Sequence, residues 1–284
     1  MQMNHHHDLA GRLLFFVENA HALIGDTALE RDRRVHKARL AIKRARTLLR
    51  VLRPEIGVAA REIADLLRLA AAALAGARES DALLDLARQA AASAPPGPAR
   101  SGFAALVARL AAEAEAAHQG MHETEEATAP LVAAKRIAAT LRVQRPDEDL
   151  LRTSLMRVYR RGRRDWHHVH ASELDIEALH DWRKRVKDRL TLARLTAEFG
   201  ADGPARRRQL DALQELLGLE RDLAILIERV AAMADLDLAA RAAVTDHLDA
   251  LRTARLRSAL FLGRILYGPA PRHFRRQIGK APHL

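Results

Sequence analysis

One helical pattern, written twice, limits this chain more than any other feature. Residues 35–53 read VHKARLAIKRARTLLRVLR, and residues 179–195 read LHDWRKRVKDRLTLARL. In each copy a His is followed by cations at +3, +7 and +14: His36, Arg39, Lys43 and Arg50, then His180, Arg183, Lys187 and Arg194. On an α-helix these offsets share one face. Arg46 and Arg53 extend the first stripe, and over that span the cations cover roughly 25 Å at ~1.5 Å per residue. A second, apolar stripe runs one residue out of phase: Val35, Ala38, Ile42, Ala45, Leu49 and Leu52 in the first copy, and Leu179, Trp182, Val186, Leu190 and Ala193 in the second. One residue turns a helix by ~100°, so each helix buries one side and carries its cations beside the buried seam. Ordinary solvated faces mix signs to gain i,i+4 pairs. Residues 33–53 instead hold nine Lys or Arg and no acid. A stripe of that length suits a long polyanion better than a compact metabolite.

The bulk numbers agree. The 284 residues carry a net charge of +11, which favours an anionic partner. Cys is absent, so disulfides, Cys-ligated zinc and thiol nucleophiles are excluded, and a reducing cytosol fits. No apolar run is long enough to span a membrane, and the start does not read as a signal peptide. The His5-His6-His7 run has the chemistry to bind metal opportunistically, but reads first as a frayed terminus or tag remnant. Abundant Ala, Leu and Arg with few aromatic residues point to an all-α protein.

The periodicity predicts five helices in each half: roughly 8–25, 29–53, 56–76, 79–93 and 100–118, then 148–169, 174–199, 204–217, 220–234 and 236–264. Pro54 should stop the second helix, and Gly25, Gly76, Gly200 and Gly218 sit where helix ends are wanted. Residues 119–147 read as a connection with one short helical stretch, and residues 267–284 as a basic, Pro-containing tail. The copies lie 144 residues apart, too far for a solenoid repeat, so a duplicated helical bundle is expected, with a first half over about 8–140 and a second over about 146–266. Leu74-Ala75-Gly76-Ala77-Arg78-Glu79 is echoed by Leu217-Gly218-Leu219-Glu220-Arg221-Asp222.

His-x-x-Arg-x-x-x-Lys twice, the Gly…Arg–acid segment after each, and Tyr159-Arg160-Arg161-Gly162-Arg163-Arg164 before the second His together resemble the CHAD family, the conserved histidine α-helical domain. The resemblance covers nearly the whole chain. It implies two pseudo-symmetric helical bundles with a basic cavity or channel between them, and inorganic polyphosphate as ligand. Some family members carry a CYTH triphosphatase-type domain; this chain is expected to be a stand-alone module, cytoplasmic and associated with polyphosphate granules. The matching basic positions are His36, Arg39, Lys43, Arg44, Arg46, Arg50 and Arg78 in the first half. In the second they are Arg160, Arg164, His180, Arg183, Lys184, Lys187 and Arg221, with Arg194 completing the stripe. The second copy departs at Leu190, where the first has Arg46; its Arg189 comes one position early and is expected to turn away from the stripe. Arg185 and Arg206–Arg208 are candidates to compensate.

Phosphate chemistry fits these side chains. Arg presents a fork of donors to phosphate oxygens, and Lys a mobile point charge. A His among cations should be pushed toward its neutral form and drawn back by bound phosphate. Each His has two readings, phosphate donor or partly buried ring bonded to a backbone carbonyl, and heading the same stripe favours the first. Neither cofactor nor metal is expected. Nucleic acid is the main rival partner, with weaker binding expected because stacking aromatics are scarce. A metal-dependent phosphohydrolase built on His180-Asp181 is the enzyme alternative, but no further ligand pattern accompanies that dipeptide. A scaffold that docks an acidic protein is the third.

Overall fold

A computed structural model describes residues 8–74, 78–119, 123–172, 175–196 and 203–278, and every regular element among them is an α-helix. In chain order these are α1 (Leu9–Gly25), α2 (Arg31–Ala73), α3 (Arg78–Ala92), α4 (Pro98–Gln119), α5 (Glu123–Ala139), α6 (Asp147–Ala171), α7 (Ile176–Leu195), α8 (Pro204–Ala231), α9 (Leu238–Tyr267) and α10 (Pro271–Ile278). No described helix is long and apolar enough to cross a membrane.

Both predicted seams are buried. Val35, Ala38, Ile42, Ala45, Leu49 and Leu52 on α2, and Leu179, Trp182, Val186, Leu190 and Ala193 on α7, belong to one continuous core. This core also takes α1, α5, α6, α10, the first part of α8 and the last part of α9. A second core joins Leu83, Leu84 and Ala87 of α3 and Phe103, Leu106 and Leu110 of α4 to Leu223, Leu226 and Val230 of α8 and Val244 and Leu248 of α9. Close approach is enforced at glycines. A Cβ on Gly263 would lie 2.7 Å from both the Trp166 Nε1 and the Trp182 ring, so α9 reaches the two Trp rings only because that position lacks a side chain.

The Pro54 stop is displaced by three residues. Helical structure runs on to Gly57, whose φ of 47° and ψ of −108° break it. The Arg39 guanidinium bonds the Leu74 carbonyl, 35 residues further on. Along a straight helix those residues would stand roughly 52 Å apart, so α2 doubles back at Gly57 into two arms. Proline removes the donor for the Arg50 carbonyl, and the Arg157 guanidinium of α6 donates to it at 3.5 Å instead.

Three expectations are corrected. The break at Gly218 does not occur: α8 is continuous, because Leu210, Leu213 and Leu217 on one side of the glycine and Leu223, Leu226 and Val230 on the other are buried in the two cores. Packing on that scale outweighs the roughly 1 kcal/mol that an interior Gly costs. Residues 119–147 are not mainly a connection: α5 packs on α1 and α2 through Ala127, Leu131, Ala134 and Ala138. The basic tail contains α10, anchored where the Phe274 ring stacks on Tyr159 with centroids 4.1 Å apart and Ile278 is buried. The expected helix ends at Gly76 and Gly200 lie outside the described residues.

Candidate anion-binding site

The first arm of α2 crosses α7, and their cations meet there. Burial holds Lys43 below the ordinary lysine range, with Arg194, Arg50 and Arg183 adding to the effect and Asp188 opposing it. Lys187 is pushed down to about 8, first by burial and then by Arg183 and Lys43, against Asp222 and Asp188. Like charges from the two halves are thus close enough to destabilise each other's protonated forms. Burial also lowers the Arg46 pKa, with Arg50 and Arg68 contributing. His180 lies below the usual imidazole value, mainly through burial and then through Lys184, Arg221 and Arg183. Its expected drift toward neutrality is therefore present, with desolvation ahead of like charge as the cause. Its Nδ1, and the Nε of Arg183, are buried without a hydrogen-bond partner among the described residues.

The remaining sequence-derived positions divide. Arg221 reaches His180 electrostatically. Arg50 pairs with Asp188 at 2.9 Å, Lys184 with Asp181 at 2.9 Å, and Arg194 with Asp211 of α8. Arg39 is turned to the Leu74 carbonyl. His36 is exposed near the start of α2. Arg44 faces α1, its guanidinium 5.7 Å from the Phe16 ring centroid. A small cavity of about 190 Å³ there is lined by Arg12, Lys43, Arg44 and Arg194. Arg160 and Arg164 are exposed on α6, Arg164 bonded to Asp165 at 2.9 Å, and neither joins the α2–α7 crossing. The Arg78 side chain lies outside the described residues. Arg189 turns away from the stripe and is buried, with its guanidinium 4.8–5.1 Å from the centroids of Tyr159, Tyr267 and Phe274.

Sequence reasoning missed Asp188. It bridges Arg50 of α2 to Arg185 of α7, and Arg185 continues to Asp165, which is nearly buried. A single carboxylate thus ties the two basic helices together. It follows His180 at +8, off the stripe, and its partner lies on the other half of the chain. Arg157 and Arg161 of α6 were missed as well. They stand at i and i+4 and face Arg50 and Arg53 across a cavity. Only the density of arginines on α6 hinted at them.

A family model described as the CHAD domain matches residues 18–231. The crystal structure of the CHAD domain from the plant Ricinus communis matches with a TM-score of 0.56 at 16% identity, covering 97% of this chain and 90% of that one. None of the curated proteins matches.

Proposed function

The chain belongs to the CHAD domain family, and on that premise we propose that it binds inorganic polyphosphate, without cleaving it, along the joined basic faces of α2 and α7. The observation that carries this reading is the convergence of Lys43 with Arg183 and Arg194, and of Lys187 with Lys43. Separately folded basic helices would spread their cations apart. Here burial and mutual repulsion are both tolerated, and a bound polyanion relieves the repulsion. The partnerless Nδ1 of His180 and Nε of Arg183 support the same site, since buried polar groups ordinarily have partners. The acids of α7 nearest the stripe are committed as counter-ions, Asp181 to Lys184 and Asp188 to Arg50 and Arg185. That supports holding phosphate over activating water.

The test is titration with long polyphosphate, tripolyphosphate and duplex DNA at matched ionic strength. Long polyphosphate should bind tightest, with log affinity falling linearly against log salt through counter-ion release. DNA binding as tightly as polyphosphate per phosphate at physiological salt would overturn the ranking.

A further inference from the structure

A second basic cavity lies where α2, α6 and α7 meet. Its volume is about 510 Å³, within the roughly 300–1,000 Å³ of small-molecule sites. Five guanidiniums line it, from Arg50, Arg53, Arg157, Arg161 and Arg185, against one carboxylate, Asp188. That carboxylate is already shared between Arg50 and Arg185. Among the described residues, Arg53 and Arg161 pair with no acid. Arg157 is partly buried and lies under the repulsion of Arg161 and Arg53. Its hydrogen bonds go to neutral groups, the Arg50 carbonyl and the Ser154 hydroxyl. Val51, Pro54, Val158 and Leu192 supply an apolar part of the wall, and Thr47 and Ser154 supply hydroxyls.

This cavity is not a stretch of the α7 stripe. Its α7 lining, Arg185, Asp188 and Leu192, repeats at i, i+3 and i+7. At ~100° per residue that face is turned roughly 150° from Arg183, Lys187 and Arg194. The body of α7 therefore stands between its own two sets of cations, Arg185 on the cavity side and Arg183, Lys187 and Arg194 on the other. Arg50 and Arg53, at the C-terminal end of the α2 stripe, are the two stripe residues that line the cavity.

We propose that the cavity between α2, α6 and α7 is a separate site for a compact, ring-bearing polyphosphate, an inositol polyphosphate or a nucleoside polyphosphate. Three unneutralised guanidiniums, Arg53, Arg157 and Arg161, receive several phosphoryl groups at once by charge-assisted, forked hydrogen bonds. The carbon ring packs on the apolar wall, where a linear inorganic chain gains nothing. An aqueous volume of this size bounded by helices on several sides accepts a compact anion, whereas an extended chain needs an open run such as the stripe.

The experiment is calorimetric titration of the full chain with inositol hexakisphosphate, ATP and tripolyphosphate. It compares wild type, the cavity variant Arg157→Ala/Arg161→Ala and the stripe variant Arg183→Ala/Lys187→Ala. Arg157→Lys/Arg161→Lys and circular dichroism control for charge and folding. At least one ring compound should bind one-to-one and more tightly than tripolyphosphate. The cavity variant should lose that affinity by about tenfold or more, a difference of about 1.4 kcal/mol, and the stripe variant should lose much less. Which of the two ring compounds wins assigns the ring. Loss in the stripe variant alone, equal loss in both, tripolyphosphate binding as tightly as either ring compound, or no ring compound binding would each overturn the proposal. Long polyphosphate titrated into the same variants reads the α2–α7 site independently, so failure of one site is distinguishable from failure of the other.

Discussion

Affinity for long polyphosphate should fall steeply above neutral pH, and Lys187 should be the reason. In the ligand-free protein its pKa is about 8, held down by burial, Arg183 and Lys43. A bound polyanion supplies the missing counter-charge and lifts that pKa toward the ordinary lysine value of about 10.4. A group whose pKa rises on binding contributes fully below its free value. The contribution falls away as pH rises from the free value through the bound one. With a free pKa of about 8, Lys187 is roughly nine-tenths protonated at pH 7 and one-tenth at pH 9. Between those points affinity should drop about tenfold, or about 1.4 kcal/mol. The assay is equilibrium titration at constant ionic strength from pH 6.5 to 9.5, for wild type and Lys187→Arg. Arginine keeps its charge throughout, so the variant should lose most of the slope and keep only the share of Lys43, whose pKa is also lowered. The ligand-free fold should show the opposite sign. Its unfolded state holds the Lys187 proton more tightly than the folded one, so stability against urea should rise as pH passes from 8 toward 10. A flat wild-type binding profile, or an equal decline in Lys187→Arg, would refute the reasoning.

Three further outcomes are expected. Lys43→Ala/Arg46→Ala and Arg183→Ala/Lys187→Ala should each weaken long polyphosphate tens-fold or more, at about 1.5–3 kcal/mol per charge-assisted contact, with smaller losses for short chains; affinity against chain length measures this, and wild-type binding by either double variant would rule out a shared site. Gly263→Ala should destabilise the fold by about 1–3 kcal/mol in chemical denaturation, because the new methyl meets two Trp rings that are locked in the core; an unchanged midpoint would show that the rings give way. Polyphosphate incubated with the protein and Mg²⁺ or Mn²⁺ should keep its length on a gel, and turnover lost on His180→Ala would favour the hydrolase alternative instead.

The seams of α2 and α7 were legible because Val35 to Leu52 and Leu179 to Ala193 keep strict helical spacing one residue out of phase with the cations. Arg189 was legible as leaving the stripe, since one residue of offset rotates it by ~100°. Its destination was not legible: the rings that receive it, Tyr159, Tyr267 and Phe274, come from α6, α9 and α10. Gly218 misled because local propensity marked it as an end, while the packing that overrides it depends on helices far along the chain. Pro54 marked the break in α2 to within three residues. The helix α5 was understated because its seam is largely alanine and Pro130 reads in the sequence as a helix breaker. Asp188 was invisible as a site residue because its meaning lies in Arg50, which only the fold brings to it.

The second core also sets a timetable for synthesis. Its α3–α4 surface waits for α8 and α9; the Ser93 hydroxyl, for example, meets His247 across 154 residues of chain. At roughly 5–20 residues per second, a ribosome takes about 8–30 s to cover that distance. Throughout it, Leu83, Phe103 and Leu106 have left the tunnel with no lasting cover. The α3–α4 face of this protein therefore stays an incomplete apolar surface until its own C-terminal helices arrive, the kind of transient exposure on which aggregation acts.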